Sequence, residues 1–205
     1  MSALPRSSEP DLSLDVVRAR IAAHAATDPI TRVIAPSRAS VAVLLRYRGD
    51  DPSVLLMQRA VRPEDRWSGH VSFPGGREED YDRDLVQTAI RETREEVGVD
   101  LERTARYLGR LDGLNAVGKG KILPMTITPH VFLETRASRI ELGPEAAAAF
   151  WLPLGRAFSG ALDHQYEMAM GPARMKFPAW SYEGRVIWGL TYRMLYDFLR
   201  VVDGG

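Results

Sequence analysis

From Phe73 to Gly98 the chain reads Phe-Pro-Gly-Gly, an acidic stretch from Arg77 to Asp82, then a helical run from about Asp84 to Val97 closed by Gly98. Val71 to Phe73 has the make-up of a short strand. Pro74-Gly75-Gly76 ends it, because glycine reaches positive φ and lets a backbone approach a ligand or metal closely. Gly98 stands where a helix ends in the left-handed conformation. On such a helix, residues four apart share a face, so Glu92 and Glu96 stack one turn apart with Glu95 beside them at i+3. Like charges at that spacing cost an isolated helix roughly 0.2–0.5 kcal/mol per pair and raise one another's pKa, unless a cation lies among them. A solvated acidic face is the usual explanation of such a pattern. Here the glycine loop before the helix, and Arg91 within it as a fixed cation able to hold Asp82, favour a metal site. Carboxylates with neither His nor Cys nearby are hard oxygen donors and suit Mg²⁺ or Mn²⁺ better than Zn²⁺.

These residues resemble the Nudix hydrolase family, whose signature is a glycine, an acidic loop, then Arg-Glu-apolar-x-Glu-Glu-x-Gly-apolar. Here the run is Gly76, Arg77 to Ile90, then Arg91-Glu92-Thr93-Arg94-Glu95-Glu96-Val97-Gly98-Val99. Thr93 departs from the pattern by standing at a usually aliphatic position. The loop is also one residue longer than the common form, so Asp82, nine before Arg91, serves where a Glu eight before it is usual. The coenzyme A pyrophosphatase-like branch carries the same lengthened box, preceded by a strand ending in Arg and a Gly-x-Val-x-Phe-Pro-Gly-Gly run. Met57-Gln58-Arg59 and Gly69 to Gly76 match that approach, and Val186-Ile187-Trp188-Gly189-Leu190-Thr191 is similar to the branch's ending. Trp67 stands where the branch usually has a His, and His70 does not replace it. The resemblance spans roughly Ala39 to Leu199.

The resemblance implies an α/β fold, a Nudix-type α/β/α sandwich around a mixed β-sheet. It further implies attack of water on a phosphorus of a diphosphate, with Mg²⁺ or Mn²⁺ bridging carboxylates and phosphate oxygens. Glu92 and Glu96 are then metal ligands, Glu95 a direct or water-mediated one, and the carbonyl of Gly76 a further donor. The catalytic set is Arg91, Glu92, Glu95 and a general base drawn either from the box or from a later loop, where Glu145 and Glu134 are the candidates. Substrate contacts fall to Gly75, Gly76, Arg59, Arg62 and Trp67, arginine being a bidentate donor to phosphate and Trp67 a ring for stacking. The expected substrate is a nucleoside diphosphate linked to another moiety, coenzyme A or its derivatives first, giving 3′,5′-ADP and a phosphopantetheine. Nucleotide sugars, dinucleotides or nucleoside triphosphates are the alternative within the same chemistry. A nucleotide-binding regulatory module without turnover is the alternative outside it, and the intact Glu92, Glu95 and Glu96 argue against that.

At 205 residues the chain suits one domain, divided as a tail and helix over 1–30 and a hydrolase domain over 31–203 with its signature at about 76–99. Twenty-seven Lys+Arg balance 27 Asp+Glu, so no global field draws nucleic acid or an anionic membrane. The expected partner is a small nucleotide, with the protein a monomer or homodimer. The absence of cysteine, and an N-terminus resembling neither a secretory signal nor a transit peptide, fit a cytoplasmic location. Helical spacing predicts a first helix over Leu12 to Ala26 behind Ser13 and a last one over Leu190 to Val201. Strands are expected over Ala39 to Tyr47, Ser53 to Arg59, Arg106 to Leu111, Thr126 to Glu134, Gln165 to Met170, Met175 to Pro178 and Tyr182 to Trp188. A turn joins the first two at Arg48 to Pro52. Pro144 to Phe150 reads as helical or irregular. Trp151, Trp180 and Trp188 read as packing residues, and Gly118-Lys119-Gly120-Lys121 as a basic loop.

Overall fold

A computed structural model of the chain describes residues 11–29, 37–61, 68–118, 121–170 and 173–204. Strands β1 (Ser37–Arg48) and β2 (Asp51–Arg59) form a hairpin. The turn expected over Arg48 to Pro52 is tighter in the structure. Arg48 pairs with Asp51, and Gly49 at φ +70° reverses the chain in the two-residue loop Gly49-Asp50. Then follow β3 (Val71–Ser72), β4 (Gly75–Arg77), β5 (Ala105–Arg110), β6 (Leu114–Gly118), β7 (Lys121–Glu134) and β8 (Ala146–Pro153), all joined in one eight-stranded sheet. β7 lies parallel to β1, Ser37 opposite Met125 through Leu45 opposite Leu133, and the other pairings are antiparallel. The sheet is therefore mixed.

The central strands are apolar on both faces because both faces are covered. Val43, Leu45, Val54, Leu56 and Val131 enter one core, while Ala42, Leu44, Leu55, Met57 and Phe132 enter another. On the first side lie α1 (Leu14–Ala23), α4 (Leu154–Ser159) and α5 (Gly189–Asp203), which contribute Val17, Ile21, Phe158, Leu195 and Phe198. On the second lie α2 (Leu85–Val97) and α3 (Leu101–Thr104), through Ala89, Val97 and Leu101. This is the expected α/β/α sandwich. A smaller antiparallel sheet, β9 (Asp163–Met170), β10 (Ala173–Tyr182) and β11 (Arg185–Trp188), joins the first side by burying Trp180 and Ile187.

Pro144 to Phe150 does not form a helix. After a short turn the alanines run into β8, where Ala149 pairs with Met57, so a ladder to β2 overrides the helical preference of four consecutive alanines. β10 likewise runs on past Pro178, which pairs with Gln165. The helix α1 is shorter than expected, since His24 already has extended backbone at ψ 116°. Gly118 pairs with Lys121 across a hairpin whose two tip residues, Lys119 and Gly120, lie outside the described residues. No helix among the described residues is long and apolar enough to cross a membrane.

Candidate active site

The site is built where the first hairpin opens. β1 and β2 pair with each other only near their turn, Leu45 to Arg48 against Asp51 to Val54. Beyond that they part, and the segment Val71 to Arg77 fills the fork: Val71 and Ser72 pair with β2, Gly75 to Arg77 with β1. Pro74 makes the crossing, and its carbonyl accepts the Ala42 amide at 2.9 Å. Gly75 presses so closely on β1 that a Cβ there would lie 2.3 Å from the Ser40 carbonyl oxygen. At Gly76 a Cβ would lie 2.3 Å from Oε1 of Glu92. The two glycines thus bring bare backbone beneath the acidic face of α2.

Helix α2 starts and stops where its sequence says it should. Asp84 accepts the Gln87 amide at 2.9 Å as N-cap, and Gly98 closes the other end at φ +70° with its amide on the Arg94 carbonyl. Thr93 is buried, and its hydroxyl donates to the Ala89 carbonyl one turn back at 2.7 Å. Its hydrogen bond is met inside the helix, which explains how a hydroxyl occupies a position the family gives to an aliphatic side chain.

Glu96 is 3% exposed, and its Oε2 accepts the Gly75 amide at 2.8 Å. Burial pushes its carboxyl up to about 8, against the pull of the Gly75 hydrogen bond and the Arg59 cation, with Glu92 and Glu145 adding to the rise. Glu92 is raised too, by burial first, while Arg91 opposes and Glu95 and Glu145 reinforce. Glu95 does not join them. Three positions on from Glu92 it points about 60° around the helix, and its largely exposed carboxylate turns to Nη1 of Arg91 at 3.4 Å. Among the described residues no three carboxylate or imidazole side chains stand close enough to enclose an ion outright. The convergence of three glutamates expected from spacing is therefore a convergence of two. One buried and one half-buried carboxylate a turn apart, both disfavoured as lone anions, with all-oxygen donors, nonetheless fit a hard divalent cation.

Arg91 ties the acidic loop to the helix. Its Nε and Nη2 donate to the two oxygens of Asp82 at 3.0 and 2.9 Å, Nη2 also reaches the Arg77 carbonyl at 3.0 Å, and Nη1 holds Glu92 at 2.9 Å. Asp82 further accepts the Thr88 hydroxyl and the Glu79 amide, both at 3.0 Å. The nine-residue spacing is thus bridged without strain on the helix. The Arg91 hydrogen bonds lower Asp82 to about 2, against some burial, with Glu79 and Thr88 assisting. A depressed folded pKa gives stability that is present above pH 3.8 and is lost as the pH falls through 2. We expect Asp82→Asn to cost about 2 kcal/mol at neutral pH. The gap to wild type should narrow between pH 4 and 2 in denaturation series, and a gap constant over that range would refute the assignment.

Arg59 ends β2, and its charge reaches Glu96. Glu145 arrives on the β7–β8 connection, which lies along the end of α2: the Glu141 amide bonds the Val97 carbonyl and the Gly143 amide the Glu96 carbonyl, each at 2.9 Å. A Cβ on Gly143 would lie 2.0 Å from the Glu95 carbonyl oxygen, a close approach the sequence gives no hint of. The Glu145 carbonyl accepts the Ala60 amide at 2.8 Å, and its charge acts on both Glu92 and Glu96. Glu134, the other later-loop candidate, is elsewhere. It pairs with Arg46 at 2.5 and 2.9 Å and accepts the Ser138 amide, at the end of β7 beside the β1–β2 turn. Arg46 in turn lies 3.6 Å over the Trp151 ring. Glu134 is therefore removed as a general-base candidate, its carboxylate being committed to that pair. Arg62 and Trp67 fall outside the described residues.

The NUDIX domain model matches residues 36–172, two thirds of the chain. An uncharacterized protein of Schizosaccharomyces pombe is 36% identical over 138 residues, 58% of this chain and 42% of that protein, so the chain spans well under half of that relative. The uncharacterized Nudix hydrolase NudL of Pectobacterium atrosepticum is 30% identical over 156 residues, covering 74% of this chain and 77% of its own. Among solved structures, a C. elegans Ap4A hydrolase complex superposes with a TM-score of 0.50 at 23% identity over 60% of this chain and 84% of that one, a likeness of fold. By the domain match and the box that folds as described, the chain belongs to the NUDIX domain family, as does the Nudix hydrolase NudL that it resembles.

Proposed function

We propose that the enzyme hydrolyses the diphosphate linkage of coenzyme A or its acyl and oxidised derivatives, releasing 3′,5′-ADP and the corresponding phosphopantetheine. The observation that carries the hydrolytic part is the pair of half-buried Glu92 and buried Glu96, one turn apart on α2 above the bare backbone of Gly75 and Gly76. A Mg²⁺ or Mn²⁺ ion would be held by Glu92 and Glu96, with the Gly76 carbonyl as a further donor and Glu95 acting through a water. When bound it supplies electrostatic neutralisation of the phosphate oxygens. Arg91 positions Glu92 and the acidic loop. Arg59, ending β2 within electrostatic reach of Glu96, binds a substrate phosphate. Glu145 takes the proton of the attacking water, a role supported by its influence on both box carboxylates. Arg62 and Trp67 keep their assignment to phosphate and to a substrate ring.

What favours coenzyme A is the Gly69 to Gly76 run together with the lengthened loop, whose Asp82 meets Arg91 in spite of the extra residue. With purified protein and either metal, coenzyme A should exceed ADP-ribose, Ap4A, NADH and deoxynucleoside triphosphates in kcat/KM by about tenfold or more. The products should chromatograph as 3′,5′-ADP and phosphopantetheine. Preferential turnover of one of the other nucleotides would replace the substrate and leave the chemistry standing.

A further inference from the structure

The small sheet carries aromatic side chains on the face turned away from the core. Register pairs Tyr166 with Phe177 and Ala179 with Trp188, so Tyr166, Phe177 and Trp188 share one face while Trp180 and Ile187 are buried on the other. Tyr166 stacks on Trp188 with ring centroids 4.0 Å apart and planes 22° from parallel. Phe177 lies 5.9 Å from Trp188, and His70 meets Trp188 edge-on at 5.2 Å. All four rings are only partly buried, unlike Trp180, Phe73 and Phe198, which are shut into the core.

This cluster is joined to the catalytic end of the molecule by backbone. The Arg59 amide donates to the His70 carbonyl at 2.9 Å and the Gly69 amide to the Arg59 carbonyl at 3.1 Å, with Gly69 at φ +74°. Arg59 thus lies opposite His70, and cross-strand partners project from the same face of a sheet. At the start of α5 the Thr191 hydroxyl donates to the Val71 carbonyl at 3.0 Å, which fixes Trp188 against the strand that leads into Gly75 and Gly76. Arg59 is therefore linked to His70 through its backbone and to Glu96 through its charge.

We propose that Tyr166 and Trp188, with His70 at their edge, form the stacking surface for the base of a nucleoside diphosphate substrate, whose phosphates then reach Arg59 and the box. The proposal rests on the pyrophosphohydrolase reading and adds to it a stacking surface for the base. An adjacent aromatic surface and arginine are what a base carrying a charged diphosphate calls for, since every base offers a π-face and Arg takes phosphate oxygens in pairs.

The test uses the full chain with Mg²⁺ and compares wild type with Trp188→Leu, Tyr166→Leu and the ring-retaining Trp188→Phe. The first readout is the ratio of kcat/KM for a base-bearing diphosphate to kcat/KM for an alkyl diphosphate ester without a base. The second is calorimetric binding of 3′,5′-ADP, which needs no turnover. Stacking is lost in the leucine variants, so the ratio should fall by about 5- to 100-fold and 3′,5′-ADP should weaken by a similar factor. Trp188→Phe should recover most of both. An unchanged ratio, or equal losses on the two substrates, overturns the proposal. If wild type cleaves no diphosphate yet binds 3′,5′-ADP through Trp188, the hydrolase reading fails and the stacking surface stands.

Discussion

Glu96→Gln is expected to lower kcat by about three orders of magnitude, a loss of roughly 4 kcal/mol of transition-state stabilisation. Gln keeps the shape of Glu96 and can still accept the Gly75 amide, so the backbone beneath the helix has no reason to move. What it removes is the negative charge that a divalent cation needs from the more deeply buried of the two carboxylates. Because folding raises this carboxyl from 4.5 to about 8, the metal-free protein carries it protonated at neutral pH. The linked stability is fully present below pH 4.5 and is lost as the pH rises through 8. In EDTA, Glu96→Gln should therefore match wild type near pH 4 and surpass it by a margin that grows until about pH 8. Adding Mg²⁺ should raise the melting temperature of wild type and not that of the variant. Normal turnover, or an undiminished Mg²⁺-dependent shift in melting, would remove Glu96 from the metal site.

Gly75→Ala and Gly76→Ala should fail in different ways. At Gly75 the added methyl meets the Ser40 carbonyl oxygen at 2.3 Å and the Val41 α-carbon at 2.6 Å, both parts of a central strand. Neither can yield without opening β1, so a destabilisation of about 3 kcal/mol or more is expected, along with loss of activity. At Gly76 the three atoms nearest the methyl all belong to the Glu92 carboxylate, the far end of a flexible side chain. That variant should fold with nearly wild-type stability while its kcat falls by roughly 10²-fold as Glu92 is displaced. Urea titration and steady-state kinetics separate the two. Similar stability losses in both would mean that the fork is packed differently from the description above.

The parts that sequence predicts well are those whose causes are local. Asp84 and Gly98 bracket α2 within a residue of the expected ends, and the partnership of Arg91 with Asp82 follows from charge and spacing on one helix and its leading loop. The sandwich follows from the resemblance of the box to the Nudix family, with which the count of strands and helices agrees, and the apolar runs of β1 and β2 suit strands covered on both faces. Long-range contacts are where the reading stops. Nothing in Ala146 to Ala149 announces a strand, since β2 supplies the pairing. Gly143 and the approach of its loop to α2 have no local signature, so Glu145 and Glu134 look equivalent until the structure sends one to the box and the other to Arg46. The turn of Glu95 away from Glu92 and Glu96 is not legible because helical spacing gives a direction and says nothing of a neighbour such as Arg91 that draws the side chain aside. The meeting of His70 with Trp188 across two sheets is likewise invisible in a linear reading.

The parallel pairing of β1 with β7 also governs the order in which the molecule assembles. Its rungs join residues 88 apart, as where the Ser40 hydroxyl meets the Thr128 carbonyl. Both hairpin strands, the fork and α2 emerge from synthesis well before β7, and during that interval β1 keeps an open, apolar edge. Such non-local closure slows folding toward the millisecond-to-second range and leaves a strand edge available for wrong pairing. Glu145 lies beyond β7, so on the growing chain the glutamate proposed as base appears after Glu92 and Glu96. In refolding, helical signal should return before hydrolysis does.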